Sequence, residues 1–219
     1  MPFQYSCFIS YRHGEGELLT RFIEELKKSL KSSLEPYLTE GIFIDDRLSA
    51  GYRYNEALAR AICQSVCMIV VYAPIYERSS YCLREFTAMQ LLEEERFKAL
   101  EEQLKAKALE GAFPPEFGLI IPILLRGKAE ELPPRIRGHI HFCDFSKFTT
   151  ASVEMTRHQE FVDKIEQIAR YIYDVYESFQ RAGWDPCSQC TSFRLPDEQK
   201  VQPWRTPVPA AFPLREGTP

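Results

Sequence analysis

Between residues 66 and 72 the chain reads Val-Cys-Met-Ile-Val-Val-Tyr, an apolar run that Pro74 brings to an end. A strand with no polar face is covered on both sides, which is the property of an inner strand of a parallel sheet. The flanking sequence alternates in kind. Tyr5–Tyr11, Gly41–Asp45, Leu119–Leu125 and His139–Cys143 read as four further strands. Between them apolar residues recur at helical spacing. Leu19, Phe22, Ile23, Leu26 and Leu30 mark a helix from Glu17 to Ser33, and Leu58, Ala61 and Ile62 mark one after the polar loop Asp46–Tyr54. Phe161, Ile165, Ile168, Ile172, Val175, Tyr176 and Phe179 line one face of a closing helix, about Val153 to Gln180. Ser79-Ser80 offers an N-cap for a helix from Tyr81 to about Glu110 that contains no Gly or Pro and is rich in Glu and Lys in its second half. Strands interleaved with helices predict an α/β protein: a flavodoxin-like, doubly wound, five-stranded parallel sheet of order 2-1-3-4-5 with helices on both faces. Pro122 cannot donate to a ladder and predicts an edge or a bulge in the fourth strand.

Composition narrows the function. A chain of 219 residues with 45% hydrophobic and 26% charged residues can bury a proper core. Its net charge of -4 argues against nucleic acid as a partner, because counter-ion release needs clustered Lys and Arg. The opening Met-Pro-Phe-Gln-Tyr-Ser lacks a basic segment followed by an apolar stretch, and the apolar runs are strand-sized. A cytoplasmic protein with no membrane partner is the expectation. Most of the seven cysteines, among them Cys7, Cys63, Cys67 and Cys143, lie in apolar runs and read as buried free thiols rather than a disulfide framework. Cys187-Ser-Gln-Cys190 is a lone CxxC, two ligands short of a structural zinc site, so no metal is expected. Beyond Gly183 the chain is Pro-rich and aperiodic. The expected organisation is a domain over residues 1–183 and an extended or poorly ordered tail over residues 184–219.

Strand order 2-1-3-4-5 puts the ligand crevice at the carboxyl ends of strands one and three, where the winding reverses. Strand one ends in Ser10-Tyr11-Arg12-His13, and strand three leads into Ser79–Glu85. Tyr81 and Glu85 are four apart on one helix face. An aromatic plane beside a carboxylate suits a sugar attached to a flat, cationic base, and Arg12 on the opposite lip suits a phosphate. Taken alone, the spacing is also that of a solvated Glu and a half-buried Tyr on an ordinary helix. His13 is either a ligand contact or a loop histidine; His139 and His141 share one face of strand five without an acidic or thiol partner. Asp45-Asp46 resembles the acidic pocket of a phospho-receiver, but the acids such a site needs after strands one and three are missing.

Tyr5-Ser-Cys-Phe-Ile-Ser-Tyr-Arg12 resembles the first box of the TIR (Toll/interleukin-1 receptor) family. Gly41-Ile-Phe-Ile-Asp-Asp46 through Ser49-Ala-Gly51 is similar to its second strand and BB loop. Ala57-Leu58 to Ile62, the Val66–Tyr72 strand, and Tyr76-Glu-Arg-Ser-Ser-Tyr-Cys-Leu-Arg-Glu85 continue in the family's order, so that the resemblance spans about Phe3 to Phe179. It implies the prokaryotic, NAD-cleaving type, with Glu85 catalytic and Ser10, Tyr11, Arg12, Tyr54 and Tyr81 as substrate-binding residues. NAD+ is then substrate rather than cofactor: nicotinamide leaves, and ADP-ribose or a cyclic ADP-ribose forms, in the setting of bacterial antiphage immunity. The resemblance also implies self-association through TIR–TIR contacts, for which the Gly51 loop and the charged helix Glu93–Glu110 are candidate surfaces, and a separate sensor or product receptor. Its alternative is a non-catalytic TIR interaction module. Tyr81 stands where the family usually has Trp, Ser6 where it often has an acid, and the Phe-Trp third box is missing.

Overall fold

A computed structural model describes residues 3–14, 16–44, 54–106, 118–137, 141–148, 154–183, 185, 187–201 and 204, without side chains for 104–106. Its five strands are β1 (Tyr5–Tyr11), β2 (Gly41–Ile44), β3 (Ser65–Tyr72), β4 (Ile120–Leu124) and β5 (Cys143–Asp144). They pair in parallel in the order β2-β1-β3-β4-β5, the doubly wound arrangement that the alternating pattern predicts. All eight residues of β3 are buried, so both faces of the sheet centre are covered. α1 (Glu17–Leu34) packs with α5 (Gln159–Ala182), and α2 (Tyr54–Cys63) packs with α3 (Ser80–Ala106). A single turn, α4, covers Pro134–Arg137.

The apolar faces of α1 and α5 are those the spacing marks. α1 buries Phe22, Ile23, Leu26, Leu30 and Leu34, and α5 buries Phe161, Ile165, Ile168, Ile172, Val175 and Phe179. The two meet around Phe145, whose ring packs edge-on against Phe22 at 5.8 Å and Phe161 at 5.6 Å. Gly183 closes α5 at φ 63°, a left-handed cap where a Cβ is penalised. The Arg96 guanidinium, 1% exposed, donates to the carbonyls of Ser65 and Cys63 and lies over the Phe3 ring at 5.1 Å. A cation at the carboxyl end of α2 complements the helix dipole, while burial pulls the Arg96 pKa down to about 10.

Four expectations need correction. Pro122 is neither on an edge nor in a bulge: it pairs with Val70 inside the sheet. Leu125 N–H donates to Tyr72 while Leu124 C=O accepts from Phe145, so even-numbered residues of β4 turn towards β5. Among the described residues the β4–β5 ladder holds Ile123↔Cys143 and Leu124↔Asp144, and the donor that Pro122 lacks falls before those pairs. β5 is accordingly two residues long rather than His139–Cys143, with His141 exposed outside it. α5 starts at Gln159 after a short turn at Met155–Arg157, not at Val153, which lies outside the described residues. The cysteines are not all free: Cys63 and Cys190 form a disulfide, while Cys7, Cys67, Cys82, Cys143 and Cys187 remain thiols.

Within the segment after Gly183, the described residues are docked rather than loose. Cys190 and Leu195 are buried, and Arg84 Nε donates to the Pro196 carbonyl at 2.7 Å. Asp45, Asp46, Ser49–Gly51, residues 107–110, His139 and Trp184 lie outside the described residues. Among the described residues, no helix is long and apolar enough to cross a membrane, and no group of three or more His, Cys, Asp or Glu could hold a metal ion.

Candidate functional site

The end of β1 and the start of α3 meet at the carboxyl edge of the sheet, where the chain reverses its winding. A short turn, Tyr76–Arg78, follows β3, and Ser79 then caps α3: its Oγ accepts the Cys82 N–H at 3.3 Å. The cap sets the helix phase, and that phase turns Cys82, Glu85, Phe86 and Met89 inward. Glu85 is 5% exposed. A carboxylate so far from water needs donors. Ser10, 1% exposed at the end of β1, donates from Oγ to Glu85 Oε2 at 2.5 Å. The Tyr76 hydroxyl lies 2.8 Å from Ser10 Oγ and 3.2 Å from the Cys82 carbonyl. Ser10 has one proton, directed at the carboxylate. Ser10 Oγ can then only accept from Tyr76, whose single O–H is shared between Ser10 Oγ and the Cys82 carbonyl, giving a relay Tyr76 → Ser10 → Glu85.

Glu85 also borders a cavity of about 330 Å³, together with Tyr11, Arg12, His13, Tyr54, Ser79, Tyr81 and Cys82. Tyr81 and Tyr54 meet edge to face at 5.8 Å and remain 49% and 38% exposed, so each keeps an open ring surface at the mouth. The Arg84 guanidinium lies 5.8 Å from the Tyr81 ring centre. Across the mouth, the rings of Tyr11 and His13 stack at 4.4 Å, and Arg12 donates to the His13 carbonyl. One buried carboxylate, two open aromatic rings and an exposed arginine converge on one small space.

Residues 4–100 match the TIR domain family. The chain carries a TIR domain. The match is narrower than the Phe3–Phe179 span of the resemblance, but it contains every residue bordering the cavity. No curated protein matches the chain.

Within this TIR domain the sequence-derived residues separate into two groups. Glu85, Tyr11, Arg12, Tyr54 and Tyr81 come together around the cavity. Ser10 does not border it; it sits behind the carboxylate and reaches the site only through Glu85. Three contributors were not singled out in the sequence. Ser79 and Cys82 border the cavity, and Tyr76 supplies the outer hydroxyl of the relay. Their signal was present in the Tyr76–Glu85 segment, but a buried tyrosine in an apolar neighbourhood reads as core. Burial pushes the Cys82 thiol up to about 12, reinforced by the charge of Glu85, so Cys82 contributes a neutral wall rather than a nucleophile. Burial likewise holds the Tyr76 hydroxyl well above its ordinary range, with Cys82 and Glu85 adding to the effect, and keeps it a donor.

Proposed function

We propose that this TIR domain cleaves NAD+ at the bond between nicotinamide and ribose, with Glu85 as the catalytic residue. The observation that carries the reading is the buried Glu85 carboxylate, held by Ser10 and opening onto a cavity flanked by Tyr81, Tyr54 and Arg12. At about 330 Å³ the cavity is at the small end of ligand pockets and suits the nicotinamide riboside half of the substrate. Tyr81 and Tyr54 offer flat faces to the cationic ring, and Arg12 offers a planar fork to the diphosphate.

The chemistry needs no general acid and no metal. The glycosidic bond breaks with its electron pair passing to the ring nitrogen, so the pyridinium leaves as neutral nicotinamide. Positive charge develops on the ribose C1′ and ring oxygen, and a carboxylate fixed beside it stabilises that charge. Water then adds at C1′ and loses its proton to solvent, giving ADP-ribose; attack by the substrate's own adenine gives a cyclic product. The setting we propose is cytoplasmic antiphage defence, with self-association of the TIR domain completing the site and a separate sensor or product receptor as partner. The open rings of Tyr54 and Tyr81 favour one second reading, a non-catalytic module that uses those rings for protein contacts.

Purified protein incubated with NAD+, over a range of protein concentrations and with a crowding agent, separates the two when the products are resolved by chromatography. The proposal expects nicotinamide plus linear or cyclic ADP-ribose, and none from a folded Glu85→Ala variant. Turnover that survives in Glu85→Ala removes Glu85 from the role, and no turnover at any concentration selects the interaction module.

A further inference from the structure

The segment after α5 reaches back to the site. Its disulfide ties Cys190 to Cys63, the last residue of α2. Its Pro196 carbonyl takes the Arg84 guanidinium, the neighbour of Glu85 and the cation beside the Tyr81 ring. Trp204 packs edge-on against Phe86 at 4.6 Å and lies 5.7 Å from the Tyr76 ring. Tyr76 is the outer member of the relay that ends on Glu85, and Phe86 follows Glu85 on α3. Between the disulfide and α3 the packing is not dense. A cavity of about 360 Å³, bordered by Cys63, Arg96, Ser188, Gln189, Phe193 and Arg194 among others, separates them. The covalent link therefore adds to the docking that buried Leu195, the Arg84–Pro196 bond and the Trp204 ring supply.

We propose that residues 187–201 form a redox-released strap, with Trp204 as a positioning residue for Glu85; this rests on the catalytic reading of Glu85. With the Cys63–Cys190 disulfide formed, Trp204 holds Tyr76 and Phe86, and the hydroxyl relay fixes the carboxylate. Release is a balanced two-electron exchange with a dithiol reductant. The reductant's thiolate attacks one sulfur, the Cys63–Cys190 bond breaks, the reductant closes to its own disulfide, and its two protons end on Cys63 and Cys190. In a reducing compartment, the setting proposed above, a disulfide is usually redox-sensing or catalytic rather than static, which fits a staple between the helix that carries Glu85 and this segment. Cys187 lies near the pair, its Sγ 3.8 Å from the Cys63 carbonyl. Burial raises its pKa, which disfavours the thiolate that internal scrambling needs.

The test compares oxidised and dithiol-reduced full-length protein, with Cys190→Ser, Trp204→Phe and Trp204→Ala, in four readouts. Thiol counting comes first. Seven thiols in the oxidised protein, against the five of the disulfide form, overturn the proposal. Trp204 emission, read in a Trp184→Phe background, is expected to shift to the red on reduction. In turnover, reduction or Cys190→Ser is expected to lower kcat by at least about 10-fold at an unchanged KM for NAD+, towards the roughly 100-fold that a 1 Å displacement of a catalytic group costs. Trp204→Phe retains most of kcat and Trp204→Ala does not. A red shift with kcat unchanged overturns the positioning role, and no red shift overturns the strap. Should no form turn over NAD+, the catalytic reading fails by itself. Hydrogen exchange in residues 76–86 then decides the strap: faster exchange after reduction supports it, and unchanged exchange overturns it.

Discussion

Replacing Ser10 with Ala removes one oxygen from the interior and leaves the β1 backbone undisturbed. Ser10 donates to Glu85 at 2.5 Å and lies 2.8 Å from the Tyr76 hydroxyl, so the substitution cuts the relay in the middle. Tyr76 is not stranded, because the Cys82 carbonyl is 3.2 Å away and takes its proton. The loss therefore falls on the carboxylate. A hydrogen bond to a charged group contributes about 1.5–3 kcal/mol. Most of it is present before as well as during reaction, and only the part that fixes the geometry of Glu85 enters the barrier. Taking half, about 1.1 kcal/mol, predicts a kcat lower by roughly 7-fold with KM for NAD+ within about threefold. The whole of the lost bond, about 1.5–3 kcal/mol, bears on stability and should lower Tm by about 3–12 °C for a chain of this size. Steady-state nicotinamide release and thermal melts measure the two effects separately. Tyr76→Phe should act in the same direction, and Ser10→Ala combined with Tyr76→Phe should cost less than the sum, because both act through one chain of bonds. A Ser10→Ala protein that loses Tm but keeps full kcat refutes the relay as a catalytic device and leaves it a packing feature.

Two further predictions follow from the same region. Burial pushes the Cys7 and Cys82 thiols up to about 12, from 9.0, and holds Tyr76 well above 10.0. The folded state keeps these protons where the unfolded chain sheds them, so their contribution is fully present below about pH 9 and is lost as pH rises towards 12. Melts between pH 8.5 and 11.5 should show stability falling by up to about 1.4 kcal/mol per pH unit for each such group, and a flat profile to pH 11 contradicts the burial account. Tyr81→Ala should raise KM for NAD+ about 5- to 10-fold by removing a stacking face worth about 1–1.5 kcal/mol, whereas Tyr81→Trp should leave it unchanged or lower it. Equal KM in all three proteins takes Tyr81 out of substrate binding.

The inner sheet was legible in the sequence because a run such as Val66–Tyr72 has no alternative but cover on both faces, and its five-strand order came with the alternation. Glu85 and Tyr81 were legible as a pair from spacing, and as a site only once the winding reversal placed them beside β1. What stayed hidden depends on contacts remote in sequence. Ser10 meets Glu85 across 75 residues and Cys63 meets Cys190 across 127, and no local pattern encodes either. Tyr76 was hidden for another reason: a tyrosine buried for its ring and one buried for its hydroxyl look alike until the partner is seen. Likewise, the two-residue β5 was overestimated because His139–Cys143 shows the alternation of a strand, while the pairing itself is limited by where β4 offers donors and acceptors.

Glu85→Gln tests the central claim most directly. The amide keeps the size of the side chain and an oxygen to accept from Ser10, so the fold and the cavity are preserved while the charge is removed. A carboxylate about 4 Å from a developing unit positive charge, at an effective dielectric constant near 20, stabilises it by about 4 kcal/mol. The account predicts nicotinamide release from NAD+ slowed roughly 10³-fold in the folded variant, with KM changed by less than about threefold. Release within tenfold of the unsubstituted protein contradicts it.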